Sequence, residues 1–131
     1  MKTLLVLEDE ALVAKLLLLI LRGYTVLEAA TAERALRLFA DHARQIDLLV
    51  ADVTLPTSSG IQVALLLRAE IPDLPVILTS GYPLSHGDSP DLEKLGSNSV
   101  VILRKPFQPE VLSNAVRQLI GAPQSSAATP E

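Results

Sequence analysis

Short runs of consecutive apolar residues recur along the chain and alternate with longer segments of helical character. The runs that we interpret as strands are 4–7, 48–51, 76–78 and 100–103, with a further strand over 24–28. The helical segments are 11–22, 32–43, 60–70, a weaker one over 88–95, and 110–120. A strand that is apolar on both faces is typical of a parallel sheet covered by helices. The pattern therefore predicts five strand–helix units.

Polar and glycine residues mark the ends of two of these helices. Thr31 lies where an N-cap would begin the second helix, with Glu33 in its first turn, and Gly23 follows the first helix as a stop. Regular alternation of strand and helix predicts a doubly wound α/β sheet, because right-handed crossovers place helices on both faces. We expect one domain over 1–120 and a flexible C-terminal tail over 121–131, which is rich in Ser, Ala and Pro.

Composition narrows the classes of function. The 131 residues carry a net charge of −4, which disfavours binding to nucleic acid or to anionic lipid. There is no cysteine, so disulfides, a Cys-ligated zinc site and a thiol nucleophile are excluded. The longest apolar run, 16–21, is far shorter than the roughly 20 residues of a membrane span. We expect a cytoplasmic protein that binds neither membrane nor nucleic acid.

Polar residues follow the predicted strands at the points where those strands end. Glu8 and Asp9 follow the first strand, Asp52 the third, Ser80 the fourth and Lys105 the fifth. In a parallel sheet these side chains converge on one edge, where ligands bind. Three carboxylates brought together would raise at least one pKa unless a cation such as Mg²⁺ neutralises them. A lysine and a hydroxyl beside them would suit a phosphoryl group, with a carboxylate as nucleophile.

Four segments carry a resemblance to a known family. They are VLEDE (6–10), DLLVADVTLPTSSG (47–60), PVILTSGY (75–82) and LRKPF (103–107). In order and spacing they resemble the acidic pair, phosphoacceptor, switch hydroxyl and Lys-Pro motifs of the receiver domain of two-component response regulators. The resemblance covers residues 1–120. It implies a flavodoxin-like (βα)5 fold, a doubly wound five-stranded parallel sheet of order 2-1-3-4-5.

The resemblance also implies a role for each matching residue. Asp52 would be the phosphoacceptor, and Glu8 and Asp9 would bind Mg²⁺ together with Asp52 and the backbone carbonyl of Thr54. Ser80 would be the switch hydroxyl and Lys105 the phosphoryl-pairing lysine. The remaining matches are Pro106, after a cis bond in the family, and Gly60, eight residues beyond the acceptor.

The implied function is that of a phosphoacceptor in a phosphorelay. The phosphoryl group would come from a phosphohistidine on a histidine kinase or a histidine phosphotransfer protein, and would switch protein–protein contacts. The chain would catalyse only its own phosphorylation and dephosphorylation and would carry no DNA-binding output domain. Activation could be accompanied by formation of a homodimer. A free-standing regulator and a receiver module of a hybrid histidine kinase both fit.

Two positions leave alternatives open. Many receivers carry Tyr or Phe three residues before the phosphoryl-pairing lysine, and Ile102 occupies that position here. Together with the irregular segment 83–98, this keeps open a pseudo-receiver that acts as a phosphorylation-independent interaction module. A register shift of one residue would put Thr79 in the place of Ser80.

The first predicted helix is apolar on more than one side. Residues 16–21 are all Leu or Ile, whereas a surface helix buries a single stripe. Either the core face is broad, or part of the helix contacts a partner, which by resemblance would be the helical bundle of a kinase or phosphotransfer protein. We place Leu18 and Leu21 on this partner face, so their change to Ser should slow phosphotransfer without unfolding the domain.

Overall fold

The structure, a computed structural model, describes residues 1–42 and 45–123. Its centre is a sheet of five parallel strands in the order β2-β1-β3-β4-β5. The strands are β1 Thr3–Leu7, β2 Thr25–Ala29, β3 Leu48–Asp52, β4 Val76–Ser80 and β5 Val100–Arg104. This is the flavodoxin-like order that the sequence resemblance implied, and it is confirmed.

Five helices of the described residues cover both faces of the sheet: four connect consecutive strands, and the fifth follows the last strand. They are α1 Ala11–Ile20, α2 Ala32–His42, α3 Gly60–Glu70, α4 Pro90–Leu95 and α5 Pro109–Ile120, and a 3₁₀ turn over His86–Asp88 precedes α4. Residues of α1 and α5 pack in one core cluster, and residues of α2, α3 and α4 pack in the other. The domain is therefore a three-layer α/β/α sandwich.

Period-two alternation along each strand builds these two cores. In β1, Leu4 and Val6 belong to the α1/α5 cluster, whereas Leu5 and Leu7 belong to the α2/α3/α4 cluster. All four side chains are essentially inaccessible to solvent. Because strands buried on both faces cannot alternate between apolar and polar residues, they read in the sequence as the continuous runs noted above.

Several local features agree with the sequence, and the capping residues are the clearest. The Thr31 hydroxyl accepts a hydrogen bond from the Arg34 N–H at 3.1 Å, as an N-cap does. Ser59 and Ser89 cap α3 and α4 in the same way. Gly23 adopts a positive φ of 95° in the turn that follows α1. The three capping side chains accept hydrogen bonds from backbone N–H groups that have no partner within their helix, and Gly23 lets the chain turn away after α1.

Other boundaries differ from those predicted. The first helix ends at Ile20 and not at residue 22, and the fourth is a short helix preceded by a 3₁₀ turn. Strand β2 lies one residue further along than predicted. The predicted end of the second helix at Ala43 lies outside the described residues. So does most of the predicted tail, residues 124–131, and the domain boundary at 120 stays a prediction.

Among the helices of the described residues, none combines the length and the apolar character that crossing a bilayer requires.

Candidate functional site

The carboxyl ends of the parallel strands carry the polar residues that the sequence singled out. Asp52 and Ser80 are the last residues of β3 and β4, Glu8 follows β1 by one residue, and Lys105 follows β5. The parallel register of all four strand pairs brings these ends to the same edge of the sheet. The site is thus assembled by the topology from residues that are far apart in the sequence.

Lys105 is the cation at the centre of the site. Its ammonium nitrogen Nζ lies 2.9 Å from Asp52 Oδ2 and 3.0 Å from Glu8 Oε1. The side chains of the two acids are almost fully buried, at 1% exposure for Glu8 and 7% for Asp52. Two charge-assisted hydrogen bonds therefore hold the lysine across the site.

Burial shifts the proton affinity of two of these groups. Burial raises the pKa of the Glu8 carboxyl above its usual range, and hydrogen bonds from Lys105 and from the Glu10 N–H oppose that shift only in part. Burial alone would lower the pKa of Lys105, but its hydrogen bonds to Asp52 and Glu8 outweigh this effect and raise it. The sequence had predicted a raised carboxyl pKa from repulsion, whereas desolvation of Glu8 is the larger cause.

The acids outnumber the cation that pairs with them. Carboxylate oxygens of Glu8, Asp9 and Asp52 all lie within 4.8 Å of one another. A single lysine cannot neutralise three carboxylates, and a fourth, Glu10, lies 3.9 Å from Lys105 Nζ. Hard divalent cations such as Mg²⁺ take carboxylate oxygens as ligands and keep part of their water shell. The residues present fit such an ion.

The backbone around Asp52 fixes the position of its carboxylate. Asp52 Oδ1 accepts a hydrogen bond from the Thr54 N–H at 3.1 Å. Gly60 at the start of α3 packs directly on this strand, and a Cβ atom at Gly60 would lie 2.3 Å from the Asp52 carbonyl oxygen. Only glycine permits this close approach. The peptide bond between Lys105 and Pro106 is cis, as the resemblance implied.

Ser80 is near the site, but its hydroxyl is engaged elsewhere. The residue is inaccessible to solvent, and its Oγ donates to the Tyr82 carbonyl at 2.6 Å and accepts from the Tyr82 N–H at 3.2 Å. Its carbonyl oxygen accepts a hydrogen bond from the Lys105 N–H at 2.7 Å. The neighbouring Thr79 lies beside Asp52 in the register of β3 and β4.

The structure therefore unites four of the predicted residues and sets one apart. Glu8, Asp9, Asp52 and Lys105 come together, and Thr54 borders them, whereas the Ser80 hydroxyl bonds to the β4–α4 loop. An open pocket of about 480 Å³ lies over the site, lined by Asp9, Glu10, Asp52, Thr54, Gly81, Tyr82 and Lys105. Sequence reasoning missed Glu10 as a site residue, although it is the third acid of the run that follows β1.

Ile102 lies on the sheet face that α2, α3 and α4 cover. It is half-buried, pairs with Leu78 of β4 and packs against that core cluster. It occupies the place where the family often carries an aromatic residue, and it fills that place as an ordinary aliphatic core residue.

Of the two leucines that the sequence analysis assigned to a partner face, Leu18 is half-buried and Leu21 is buried. Leu21 is only 1% exposed and belongs to the α1/α5 core, so placing it on a partner face was wrong. The helix ends at Ile20, and the turn that follows directs Leu21 inward. The exposed side chains are Leu12, Leu16 and Leu19, at 81%, 47% and 64%. Their spacing of four and three residues puts them on one face of the helix.

Fold and site together define a class of protein: a doubly wound α/β domain with an acidic, lysine-paired site at the carboxyl ends of its strands. The sequence-family model of the response regulator receiver domain matches residues 4–117 of this chain. The chain therefore belongs to the response regulator receiver domain family, as its motifs indicated. Receiver domains are partners of histidine kinases in two-component signal transduction.

The relatives of the chain include a probable transcriptional regulator and a sensor kinase. It is 34% identical over 119 residues to the probable transcriptional regulator ycf27 of Cyanidium caldarium, covering 89% of this chain and 45% of that protein. It is 33% identical over 101 residues to the sensor kinase CckA of Brucella abortus (strain 2308), covering 76% of this chain and 10% of that protein. The chain thus spans less than half the length of these curated relatives.

A solved structure gives the same picture. The receiver domain from the hybrid histidine kinase CckA is 32% identical to this chain and superimposes with a TM-score of 0.75, covering 90% of this chain and 98% of that one. Nearly the whole of that receiver therefore has a counterpart here.

Proposed function

We propose that this chain is a phosphoacceptor receiver in which Asp52 takes a phosphoryl group from a phosphohistidine. One observation carries the proposal: the Asp52 carboxylate lies 2.9 Å from Lys105 Nζ, within an acidic cluster that fits a divalent cation, at the floor of an open pocket. A buried structural ion pair would need neither the surplus of acids nor the opening.

The chemistry is a displacement at phosphorus. An oxygen of the Asp52 carboxylate attacks, a P–O bond forms, and the P–N bond to the imidazole breaks, leaving its electron pair on the histidine nitrogen. The product is an acyl phosphate on Asp52. Glu8, Asp9 and Asp52, with the Thr54 carbonyl as a further ligand, would hold Mg²⁺, and the bound ion would supply positive charge to offset that of the phosphoryl oxygens.

Lys105 and Ser80 have distinct parts in this proposal. Lys105 transfers one hydrogen bond from Asp52 Oδ2 to a phosphoryl oxygen, which keeps the developing charge paired. Ser80 reaches the phosphoryl group only by giving up both of its hydrogen bonds to the Tyr82 backbone. Phosphorylation thereby couples to the β4–α4 loop, and the altered loop is the signal that a partner protein reads.

The exposed face of α1 is our candidate contact for the phosphoryl donor, a histidine kinase or a histidine phosphotransfer protein. Leu16 and Lys105 line the same apolar pocket together with Val13, Pro106 and Phe107. A helical partner lying on Leu12, Leu16 and Leu19 would therefore also reach the acidic site. We place this exchange in the cytoplasm. The similarity to the receiver of a hybrid histidine kinase supports this class of donor.

The donor contact is tested by changing Leu12, Leu16 and Leu19 to Ser. Transfer from a phosphorylated histidine phosphotransfer protein should slow at least tenfold, because these side chains would no longer be buried on contact, while labelling by acetyl phosphate stays unchanged. Leu66→Ser is the matched control, since Leu66 is 54% exposed on α3. Equal slowing in both proteins, or none in either, would contradict the assignment of this face.

Phosphoacceptor function is tested by transfer of ³²P from a phosphohistidine donor. Label should appear on the wild-type protein, disappear with EDTA, and be absent from Asp52→Asn. A folded wild-type protein that stays unlabelled would refute the proposal.

The second candidate is the pseudo-receiver, an interaction module that works without phosphorylation. Ile102 favours it, because the aliphatic side chain cannot supply the aromatic movement of many receivers. The same assay separates the two, because a folded pseudo-receiver stays unlabelled. A binding measurement then supports the pseudo-receiver if the wild type and Asp52→Asn bind the partner equally well under phosphorylating conditions.

A further inference from the structure

Thr79 is a buried polar residue of the sheet that the proposed function does not use. It is 2% exposed, although its position in a fully buried strand would suit valine or isoleucine. Within residues 1–42 and 45–123, the structure records no hydrogen bond made by its hydroxyl. A buried hydroxyl without a partner is unfavourable relative to an aliphatic group of the same shape. The position of Thr79 in the fold indicates why a polar residue lies here.

Alternation and register place Thr79 beneath the phosphoryl-transfer site. Ile77, two residues earlier, belongs to the α1/α5 core, so Thr79 faces the same side of the sheet. In the register, Thr79 pairs with Asp52 of β3 on one side and with Leu103 of β5 on the other. It is the last side chain of β4 on this face, because the next position, residue 81, is glycine.

The Lys105 side chain spans β4 at this point. Lys105 follows β5, yet its ammonium nitrogen reaches Asp52 on β3, and β4 lies between these strands. Neighbouring strands are about 4.8 Å apart, so the Lys105–Asp52 contact spans roughly two strand spacings across β4. Lys105 follows Arg104, which pairs with Ser80, and Asp52 pairs with Thr79, so Thr79 is the side chain of β4 that lies beside the Asp52 end of this contact.

Among the residues that the structure describes, Lys105 Nζ has hydrogen-bond acceptors for two of its three donors. An ammonium group carries three N–H donors. Glu8 and Asp52 accept two of them, and the next carboxylate oxygen, that of Glu10, is 3.9 Å away, too far for a hydrogen bond. When phosphorylation takes up Asp52, the lysine passes that hydrogen bond to a phosphoryl oxygen, and its third donor still needs an acceptor. The Thr79 hydroxyl, beside Asp52 on the same face of the sheet, can accept from this donor through a rotation about a single side-chain bond.

We propose that Thr79 is a positioning residue of the site: its hydroxyl accepts a hydrogen bond from Lys105 Nζ when Asp52 is engaged in phosphoryl transfer. This inference rests on the proposed function of Asp52. The hydroxyl holds the lysine over the phosphoryl group at the point where its contact with Asp52 Oδ2 is lost. The resting protein retains an unsatisfied hydroxyl at some expense in stability.

Two substitutions separate the hydroxyl from the methyl group of Thr79. Thr79→Val keeps the shape and removes the hydroxyl, whereas Thr79→Ser keeps the hydroxyl and removes the methyl. We expect Thr79→Val to be phosphorylated by acetyl phosphate about tenfold more slowly, a factor equal to about 1.4 kcal/mol, and Thr79→Ser to remain within about twofold of wild type. Thermal stability should show the opposite order, with Thr79→Val at least as stable as wild type and Thr79→Ser less stable.

A second measurement does not depend on phosphorylation. In ¹⁵N-labelled protein loaded with Mg²⁺ and beryllofluoride, which occupies the place of a phosphoryl group on Asp52 without any transfer, the Lys105 ammonium protons should exchange with water more slowly in wild type and Thr79→Ser than in Thr79→Val. Equal exchange and equal phosphorylation rates in wild type and Thr79→Val would overturn the inference. So would rates that fall together in both variants, because that result points to methyl packing. If wild type is not labelled at all, the proposed function of Asp52 fails, and ammonium exchange alone decides the role of Thr79.

Discussion

Replacing Lys105 by methionine removes the cation from the acidic site while keeping most of the side-chain volume. The structure shows what is left behind: Glu8 and Asp52 each lose a hydrogen bond of 2.9–3.0 Å, and their side chains are only 1% and 7% exposed. Asp9 and Glu10 add further negative charge at the rim. Among the described residues, no other cation pairs with these four carboxylates.

The expected loss of stability follows from these burial values. Removing one partner from a buried ion pair destabilises a protein by about 3–5 kcal/mol, because the other charge is left uncompensated. Lys105 itself is 19% exposed at the edge of an open pocket, and Glu8 can take up a proton, so both effects reduce the loss. We expect the free energy of unfolding of Lys105→Met to fall by about 2–3 kcal/mol at pH 7.5 without metal.

Urea unfolding in EDTA measures this loss directly, with Lys94→Met, an exposed lysine of α4, as the matched control. Raising Mg²⁺ should restore most of the lost stability, because the ion replaces the missing charge, and Lys105→Met should bind Mg²⁺ more tightly than wild type. Wild-type stability of Lys105→Met in EDTA at pH 7.5, or a loss that Mg²⁺ does not reduce, would refute the electrostatic reasoning.

Two further predictions follow from the site. Gly60→Ala should lower the free energy of unfolding in urea by about 3 kcal/mol, because its methyl group would lie 2.3 Å from the Asp52 carbonyl oxygen and 2.9 Å from Ala51 Cβ. The control Gly87→Ala has open space around it and should leave the stability unchanged. Equal stability of the two variants would contradict this packing. Because burial raises the pKa of Glu8, its protonation stabilises the metal-free fold fully below about pH 4.5, and this stability should be lost as the pH rises through the raised value. In Glu8→Gln this loss should be absent, and an identical pH profile in the variant would assign the effect to another group.

Much of the fold could be predicted because burial on both faces leaves a plain signal. The continuous apolar runs mark strands covered by helices on both sides, and the polar residues at their ends converge wherever the strands are parallel. Glu8, Asp52 and Lys105 therefore reach one place by topology alone, which is why a sequence pattern could anticipate their proximity. Gly60 is a similar case, because α3 lies so close to Asp52 that only a residue without a side chain fits at this position.

The remainder depended on three-dimensional detail that no local pattern contains. The end of α1 was hidden because leucine occupies every position from 16 to 19, so periodicity could not separate exposed Leu19 from buried Leu21. The direction of the Ser80 hydroxyl is set by the Tyr82 backbone, which bends back in the β4–α4 loop. The place of Thr79 emerged only from the strand register.

The most direct test of the account is the intact mass of the protein after incubation with acetyl phosphate, with and without Mg²⁺. Wild type and Asp41→Asn, a matched change at an exposed aspartate of α2, should each gain one phosphoryl group only when Mg²⁺ is present. Asp52→Asn should gain none. A folded wild-type protein that gains no mass, or an Asp52→Asn variant that gains as much as wild type, would contradict the claim that Asp52 is the phosphoacceptor.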